Sequence, residues 1–226
     1  MEWIDLGNPS PRAKALSYEP IEWPSSGTLA LEPASSLNSG NTAFEELASQ
    51  RRSRRSFAPL SLELLGALTW LSCRTLKSGF RFSSIELSLR PSPSAGAIHP
   101  IHVLIVQANL DGWHRYDPIA HSLRQVQTLL DPRSVMADMQ QVLAAPEATL
   151  LLFAAEPGLT AAKYEAACSL VWRDAGALLG TMAMAAEFLG LSFCPLGVTG
   201  EPWISRLLDQ PGLTGVGAAF VGGTPR

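Results

Sequence analysis

The chain has 226 residues, 46% of them hydrophobic and only 16% charged, a composition that supports one core-rich domain and excludes a disordered chain. Its formal net charge of −3 gives no general field for nucleic acid or anionic lipid, so any anion site has to be local. Cys73, Cys168 and Cys194 are odd in number and widely spaced, against a disulfide framework or a zinc site. The acidic, proline-broken start is wrong for a signal peptide, and no apolar run reaches the roughly 18 residues of a membrane helix. The expectation is a reduced, cytoplasmic protein with no nucleic-acid or membrane partner and no metal.

In chain order, residues 1–41 are rich in Pro, Ser and Gly with scattered aromatics at Trp3, Tyr18 and Trp23, and read as an extended arm laid over a surface; a domain of residues 42–226 follows. Thr42-Ala-Phe-Glu reads as a capping box opening a short helix. Ser61 can cap a second helix whose Leu64, Leu65, Leu68 and Leu71 share one face. A loop, RPSPSAGAIHP, leads into the strand IHVLIVQA. DGWHRYDP and HSLRQVQ then form an antiparallel pair. Residues 132–144 suit a helix, and TLLLFAAE is apolar enough for a strand buried on both faces.

From Thr160 to Leu189 the pattern is that of one long helix, with Val171, Ala175, Leu178, Met182, Ala185 and Leu189 at helical spacing and Gly190 as its C-cap. SFCPLGVTG is turn-rich, a short helix is expected over 202–209, and GVGAAFVGG closes as a strand. Strands and helices mix without βαβ regularity, which predicts an α+β fold.

Four stretches have residue types suited to chemistry. The run RRSRRSF places Arg51, Arg52 and Arg55 with the Ser53 hydroxyl, a set able to surround a phosphate with charge-assisted hydrogen bonds. In extended backbone Arg51, Ser53 and Arg55 share one face; the plain alternative is a solvated basic turn or a kinase site. In Pro93, Ser94, Ala95, Gly96 and Ala97, small residues let backbone approach a planar ligand and Gly96 can take φ > 0; the alternative is an ordinary loop. Cys194-Pro195-Leu196-Gly197 is similarly backbone-rich and similarly readable as a turn. Lys163 and Tyr164 can position a substrate and move a proton if both face a cleft, and are otherwise two surface side chains. His99 and His102, in a strand, would point to opposite faces, a poor start for a metal site. His114 and His121 fall in the hairpin as packed or solvated residues.

Taken in order, RRSRRSF, LSLELLGALTWL, PSAGAIHP, the Trp-His-Arg-Tyr-Asp-Pro hairpin, Lys-Tyr, a DAG-containing helix ending AAEFLGL, and CPLGVTG resemble the FMN-dependent nitroreductase superfamily. More narrowly they resemble its SagB/ThcOx-type branch, which includes the azoline dehydrogenases of thiazole and oxazole peptide biosynthesis. The resemblance covers residues 42–226, with the Tyr18–Trp23 stretch similar to the branch's leading arm. It implies a homodimer, a mostly antiparallel central sheet flanked by helices around a long central one, and FMN between the subunits. Arg51, Arg52, Ser53 and Arg55 would hold the phosphate and ribityl chain. The Pro93-containing loop would lay Ser94, Ala95 and Gly96 along the isoalloxazine edge, Leu196 and Gly197 would approach the ring, and Lys163 and Tyr164 would match the branch's catalytic Lys-Tyr pair.

Chemistry would be hydride transfer through flavin N5, with a small-molecule or peptide-azoline substrate and NAD(P)H as a candidate donor. The chain departs from the branch at Glu165, where a Gly often follows, in the Ala166–Ser169 run, and at Ala177, the usual His position. A flavin-sequestering protein is therefore the second reading, and an interaction protein docking through RRSRRS without flavin a third.

Overall fold

The computed structural model describes residues 7–33 and 43–225. Five helices carry the α content: α1 (Phe44–Gln50), α2 (Leu62–Cys73), α3 (Pro132–Val142), α4 (Pro157–Lys163) and α5 (Cys168–Phe188). The main sheet is antiparallel throughout, with seven strands in the order β10 (Ser192–Leu196), β11 (Thr214–Gly222), β8 (Thr149–Ala155), β5 (Ile101–Val106), β6 (Trp113–Asp117), β7 (Ser122–Val126) and β2 (Ser25–Ala30). A hairpin of β3 (Lys77–Phe82) and β4 (Ile85–Leu89) stands apart from it, as does the pair of β1 (Ser10–Pro11) with β9 (Tyr164–Glu165). No helix among the described residues is long and apolar enough to cross a membrane.

The sheet is a central layer because its middle strands are apolar on both faces. Every residue of β8 is buried: Leu151 and Phe153 face the cluster containing Leu65 and Leu68 of α2 and Val171, Ala175, Leu178 and Met182 of α5. Leu150 and Leu152 face the opposite cluster, with Val135 and Met139 of α3 and Ile204 and Leu207. Each such leucine contributes roughly 1.5–3 kcal/mol by leaving water. The Ser61 hydroxyl caps α2 by accepting from the Leu64 N–H at 3.2 Å. At the end of α5, Gly190 takes φ 67°. Gly190 N–H then donates to the Glu187 carbonyl and Leu191 N–H to that of Ala186, the two bonds of a Schellman cap.

Four expectations change. Thr42, the expected cap of α1, lies outside the described residues; the helix begins at Phe44, and Ala43 at its N-cap makes no side-chain cap bond. The long helix expected over Thr160–Leu189 is two helices. Between α4 and α5 the chain extends at Tyr164 and Glu165, pairs with β1, and turns at Ala166 (φ 50°). The N–H groups of Arg12 and Leu16 donate to the carbonyls of Lys163 and Ala162, so the arm satisfies the end of α4 and overrides the helical preference of this Ala-rich run. Residues 202–209 form successive turns instead of a helix. Glu201 accepts from the N–H groups of Gly215 and Ser205, while Ile204 and Leu207 still reach the core. Ser192–Leu196 is not a turn but the edge strand β10, the one place in a sheet where Pro195 is tolerated.

Candidate functional site

The expected flavin-edge loop and the Lys163–Tyr164 pair come together in space. Ala95–Ala97 form a single 3-10 turn in which Gly96 has φ 62° and ψ 19°. Lys163 Nζ donates to the Gly96 carbonyl at 3.3 Å. A Cβ built on Gly96 would sit 2.6 Å from Tyr164 Oη and 2.8 Å from Lys163 Nζ, so only glycine fits both the backbone and the space. The Lys163 ammonium also lies 5.0 Å from the centroid of the Phe82 ring, at the end of β3. Both side chains are half-buried and face the loop; the arm holds Lys163 at the end of α4 through its carbonyl and Tyr164 on the short β9.

Beneath this loop, α5 supplies an anchor. Ser94 Oγ donates to Asp174 Oδ2 at 2.5 Å, Ala95 N–H donates to Asp174 Oδ1 at 3.0 Å, and Ser94 Oγ accepts from His99 N–H at 2.9 Å. Asp174 is 7% exposed, and burial raises its pKa above the usual carboxylate value, against the lowering effect of its two donors. The Ser94 hydroxyl is thus committed to the protein. Pro93 is exposed at the mouth of the loop, and Ala95 is half-buried.

The arginine run lies at the other end of α5. Arg54 N–H donates to the Phe193 carbonyl of β10, and the Arg54 guanidinium pairs with both carboxylate oxygens of Glu187. That pairing holds the Glu187 carboxyl below its ordinary range. Arg52 and Arg55 are exposed with Ser53, and Arg51 is half-buried. Among the described residues none of Arg51, Arg52 and Arg55 makes an ion pair; Arg52 donates to the carbonyls of Ser49 and Arg51. Leu196 ends β10, three residues beyond Phe193, packed on the sheet core, and a Cβ on Gly197 would meet nothing, so the backbone there is open. Asp174 and Glu187 are 13 residues apart on α5, about 20 Å of helix. Within the chain, the basic cluster and the Gly96 loop therefore lie toward opposite ends of one helix.

Sequence reasoning missed the residues that organise these parts. Asp174 is an acid beside the buried stripe of an apolar helix, a signal that could have singled it out. Glu156 ends the all-apolar strand TLLLFAAE. It is 1% exposed and accepts from Tyr18 Oη at 3.0 Å and Ile21 N–H at 2.7 Å, with His102 Nε2 3.0 Å from its other oxygen. It clamps the arm to the domain. His99 precedes the strand with φ 52° and its Nε2 lies 2.9 Å from the Ser88 carbonyl, so strand alternation does not govern it, and contrary to expectation His99 and His102 line the same cavity. His114 and His121 are both buried, and His121 Nδ1 lies 2.8 Å from Tyr116 Oη.

Comparison with known proteins follows the same outline. No protein of curated function matches the chain. The fold is similar to a protein from Ralstonia eutropha JMP134 assigned as a nitroreductase, at 22% identity and TM-score 0.64, over 93% of this chain and all of that one. It is similar to a chain of the E. coli microcin synthetase McbBCD complex with truncated pro-MccB17 bound, at 16% identity and TM-score 0.61, over 84% of this chain and 76% of that one. An oxidoreductase containing FMN is similar at 18% identity and TM-score 0.53, over 83% of this chain and 80% of that one. A sequence profile of the nitroreductase family matches residues 48–222, most of the chain: the protein belongs to the nitroreductase family.

Proposed function

We propose that the protein is an FMN-dependent oxidoreductase of the SagB/ThcOx type, working as a homodimer with its flavin between subunits. The observation that carries this reading is the junction of Gly96 with Lys163 and Tyr164, a planar-ligand loop facing a proton-bearing pair. The donor set suits FMN. Three guanidinium groups without carboxylate partners and the Ser53 hydroxyl match a phosphate, and the open backbone at Gly197 suits close approach of a ring.

When bound, FMN supplies two-electron hydride chemistry at N5. The protein's own residues hold and orient. Arg51, Arg52, Ser53 and Arg55 bind the phosphate and ribityl chain, with Arg54 left to brace the run against Glu187. Asp174 fixes Ser94 and Ala95, and through them the loop that meets the ring edge. Lys163 and Tyr164 orient the substrate and hold its proton. NAD(P)H is the proposed donor and a small molecule or peptide azoline the proposed substrate.

What supports a dimer is where the two halves sit. With about 20 Å of α5 between them, the phosphate cluster of one protomer and the loop of its partner form one site. The outer face of α5 presents Trp172, Gly176 and Gly180, and a Cβ at either glycine would meet nothing, so a second helix can approach closely.

The second reading, a flavin-sequestering protein, is favoured by exposed Glu165 beside the pair and by Ala177. Anaerobic mixing with NAD(P)H tests both. Loss of the visible absorbance of bound flavin within seconds to minutes supports the oxidoreductase. Bound flavin that stays oxidised supports sequestration, and a colourless protein that takes up no FMN overturns both.

A further inference from the structure

Pairing between β5 and β6 stops after two positions, Ile105 with His114 and Leu104 with Arg115. Val103 with Tyr116 and His102 with Asp117, next in the same register, are not paired. Two adjoining cavities open there, and both are lined by Arg90, His99, His102, Arg115 and Asp117. The first, of ≈ 240 Å³, continues to the apolar side chains of Ile101, Val103 and Leu178.

Two arginines of this gap have no hydrogen-bonded carboxylate among the described residues. Arg90 donates from Nε to Ser88 Oγ at 3.1 Å and makes no ion pair with a described residue. Arg115 Nε is buried with no hydrogen-bond partner, and its guanidinium carbon lies 5.0 Å from the centroid of the Trp23 ring. Asp117 is committed elsewhere, accepting from Arg124 Nε at 2.7 Å and from the N–H groups of Ile119 and Ala120. The Asp117–Arg124 pair therefore cancels. Of the other carboxylates that line the cavities, Glu86 is exposed, Glu156 is committed to Tyr18, Ile21 and His102, and Asp174 to Ser94 and Ala95. His99, pushed down to about 4 by burial and by Arg90, is neutral, as is Cys73, pushed up to about 11 by burial. Burial also draws His102, Arg90 and Arg115 downward. The guanidinium groups of Arg90 and Arg115 are thus left without a hydrogen-bonded carboxylate, and burying such a group unpaired is costly.

We infer that the gap between β5 and β6 binds a small aliphatic monocarboxylate, its carboxylate held by Arg90 and Arg115 and its chain against Ile101, Val103 and Leu178. A planar carboxylate matches the fork of a guanidinium. The apolar end of the cavity selects an alkyl body over a second charge. The site adjoins Ser94 and Asp174, so its ligand would touch the back of the Gly96 loop, and it is distinct from the arginine run at the far end of α5.

Butyrate, with butyramide as its uncharged counterpart, tests this on the purified protein at constant ionic strength, by thermal melting and tryptophan fluorescence. Butyrate is expected to raise the melting temperature saturably and to change the fluorescence of Trp23, while butyramide does neither. Arg90→Met and Arg115→Met are each expected to weaken the response about tenfold or more, the scale of one lost charge-assisted hydrogen bond. Arg55→Ala, which removes a flavin-phosphate contact, should leave it intact, so the two sites fail separately. Equal effects of butyrate and butyramide, no saturable effect of butyrate, or a response lost in Arg55→Ala and kept in Arg90→Met would each overturn the inference. Should a variant fail to fold, the butyrate and butyramide comparison on the unaltered protein decides alone.

Discussion

Replacing Asp174 separates its two effects on the fold: its hydrogen bonds and its buried charge. In Asp174→Ala the Ser94 hydroxyl and Ala95 N–H lose their acceptor. Each orphaned donor costs about 1–3 kcal/mol, partly offset by removing a desolvated carboxylate, so a net loss of about 2–4 kcal/mol is expected. In a chain of this size that lowers the melting temperature by roughly 5–15 °C. In Asp174→Asn the amide oxygen still accepts from Ala95 N–H and the charge is gone, so the loss should be about 1 kcal/mol or less. The acid range gives a second reading. Asp174 has a folded pKa above its ordinary 3.8, so its contribution is fully present below that value and is lost as pH rises through the raised folded value. Stability of the unaltered protein relative to Asp174→Asn should therefore decline from about pH 4 upward and then level. Urea unfolding from pH 3.5 to 7, followed by fluorescence and circular dichroism, measures both effects. Equal stability of the Ala and Asn variants, or a difference between the native protein and Asp174→Asn that stays constant with pH, would refute the reasoning.

The remaining predictions concern the flavin, the proton-bearing pair and the arm. Arg51→Ala or Arg55→Ala should weaken FMN binding by roughly 1.5–3 kcal/mol in a flavin titration, and unchanged affinity in both variants would remove them from the phosphate site. Lys163→Ala should keep FMN and the dimer, with turnover of the true substrate down by roughly 10²–10⁴-fold and reduction by a small artificial donor much less affected. Undiminished turnover would make Lys163 a structural residue. Glu156→Ala should release Tyr18 and Ile21 at a cost of about 1–3 kcal/mol and speed tryptic cleavage after exposed Lys14, whereas an unchanged digestion rate would mean that the arm is held by other contacts.

Elements whose burial pattern is local were legible. The stripe Val171, Ala175, Leu178, Met182 and Ala185 was readable because helical spacing alone decides which side of α5 is buried, and TLLLFAAE because a strand inside a layer must be apolar on both faces. What failed depended on partners distant in sequence. The break at Tyr164 exists because residues 10–16 of the arm take over the hydrogen bonds of that turn, and nothing near Lys163 announces it. Residues 202–209 keep the apolar spacing of a helix, yet Glu201 draws the backbone into turns through Gly215. Of the site, Gly96 was legible through its freedom at positive φ. That the Lys163–Tyr164 pair lies against it was not, because the meeting is made by tertiary structure.

The pairing of the arm has a consequence for how the chain assembles during synthesis. Ser26 bonds Gln125, 99 positions later, and Arg12 bonds Glu165, 153 positions later, so residues of the arm wait for partners far along the chain. The delay costs little at equilibrium, since lengthening a loop from roughly 100 to roughly 150 residues adds only about 0.4 kcal/mol of closure entropy. Its effect is on order: β2 can zip onto β7 before β1 has anything to pair with, and β9 exists only once both have emerged. A nascent chain halted short of residue 160 would already contain the arginine run and the Gly96 loop. It would lack the turn that sets Lys163 and Tyr164 against that loop, so the pair is placed only once the arm has met residues 162–165.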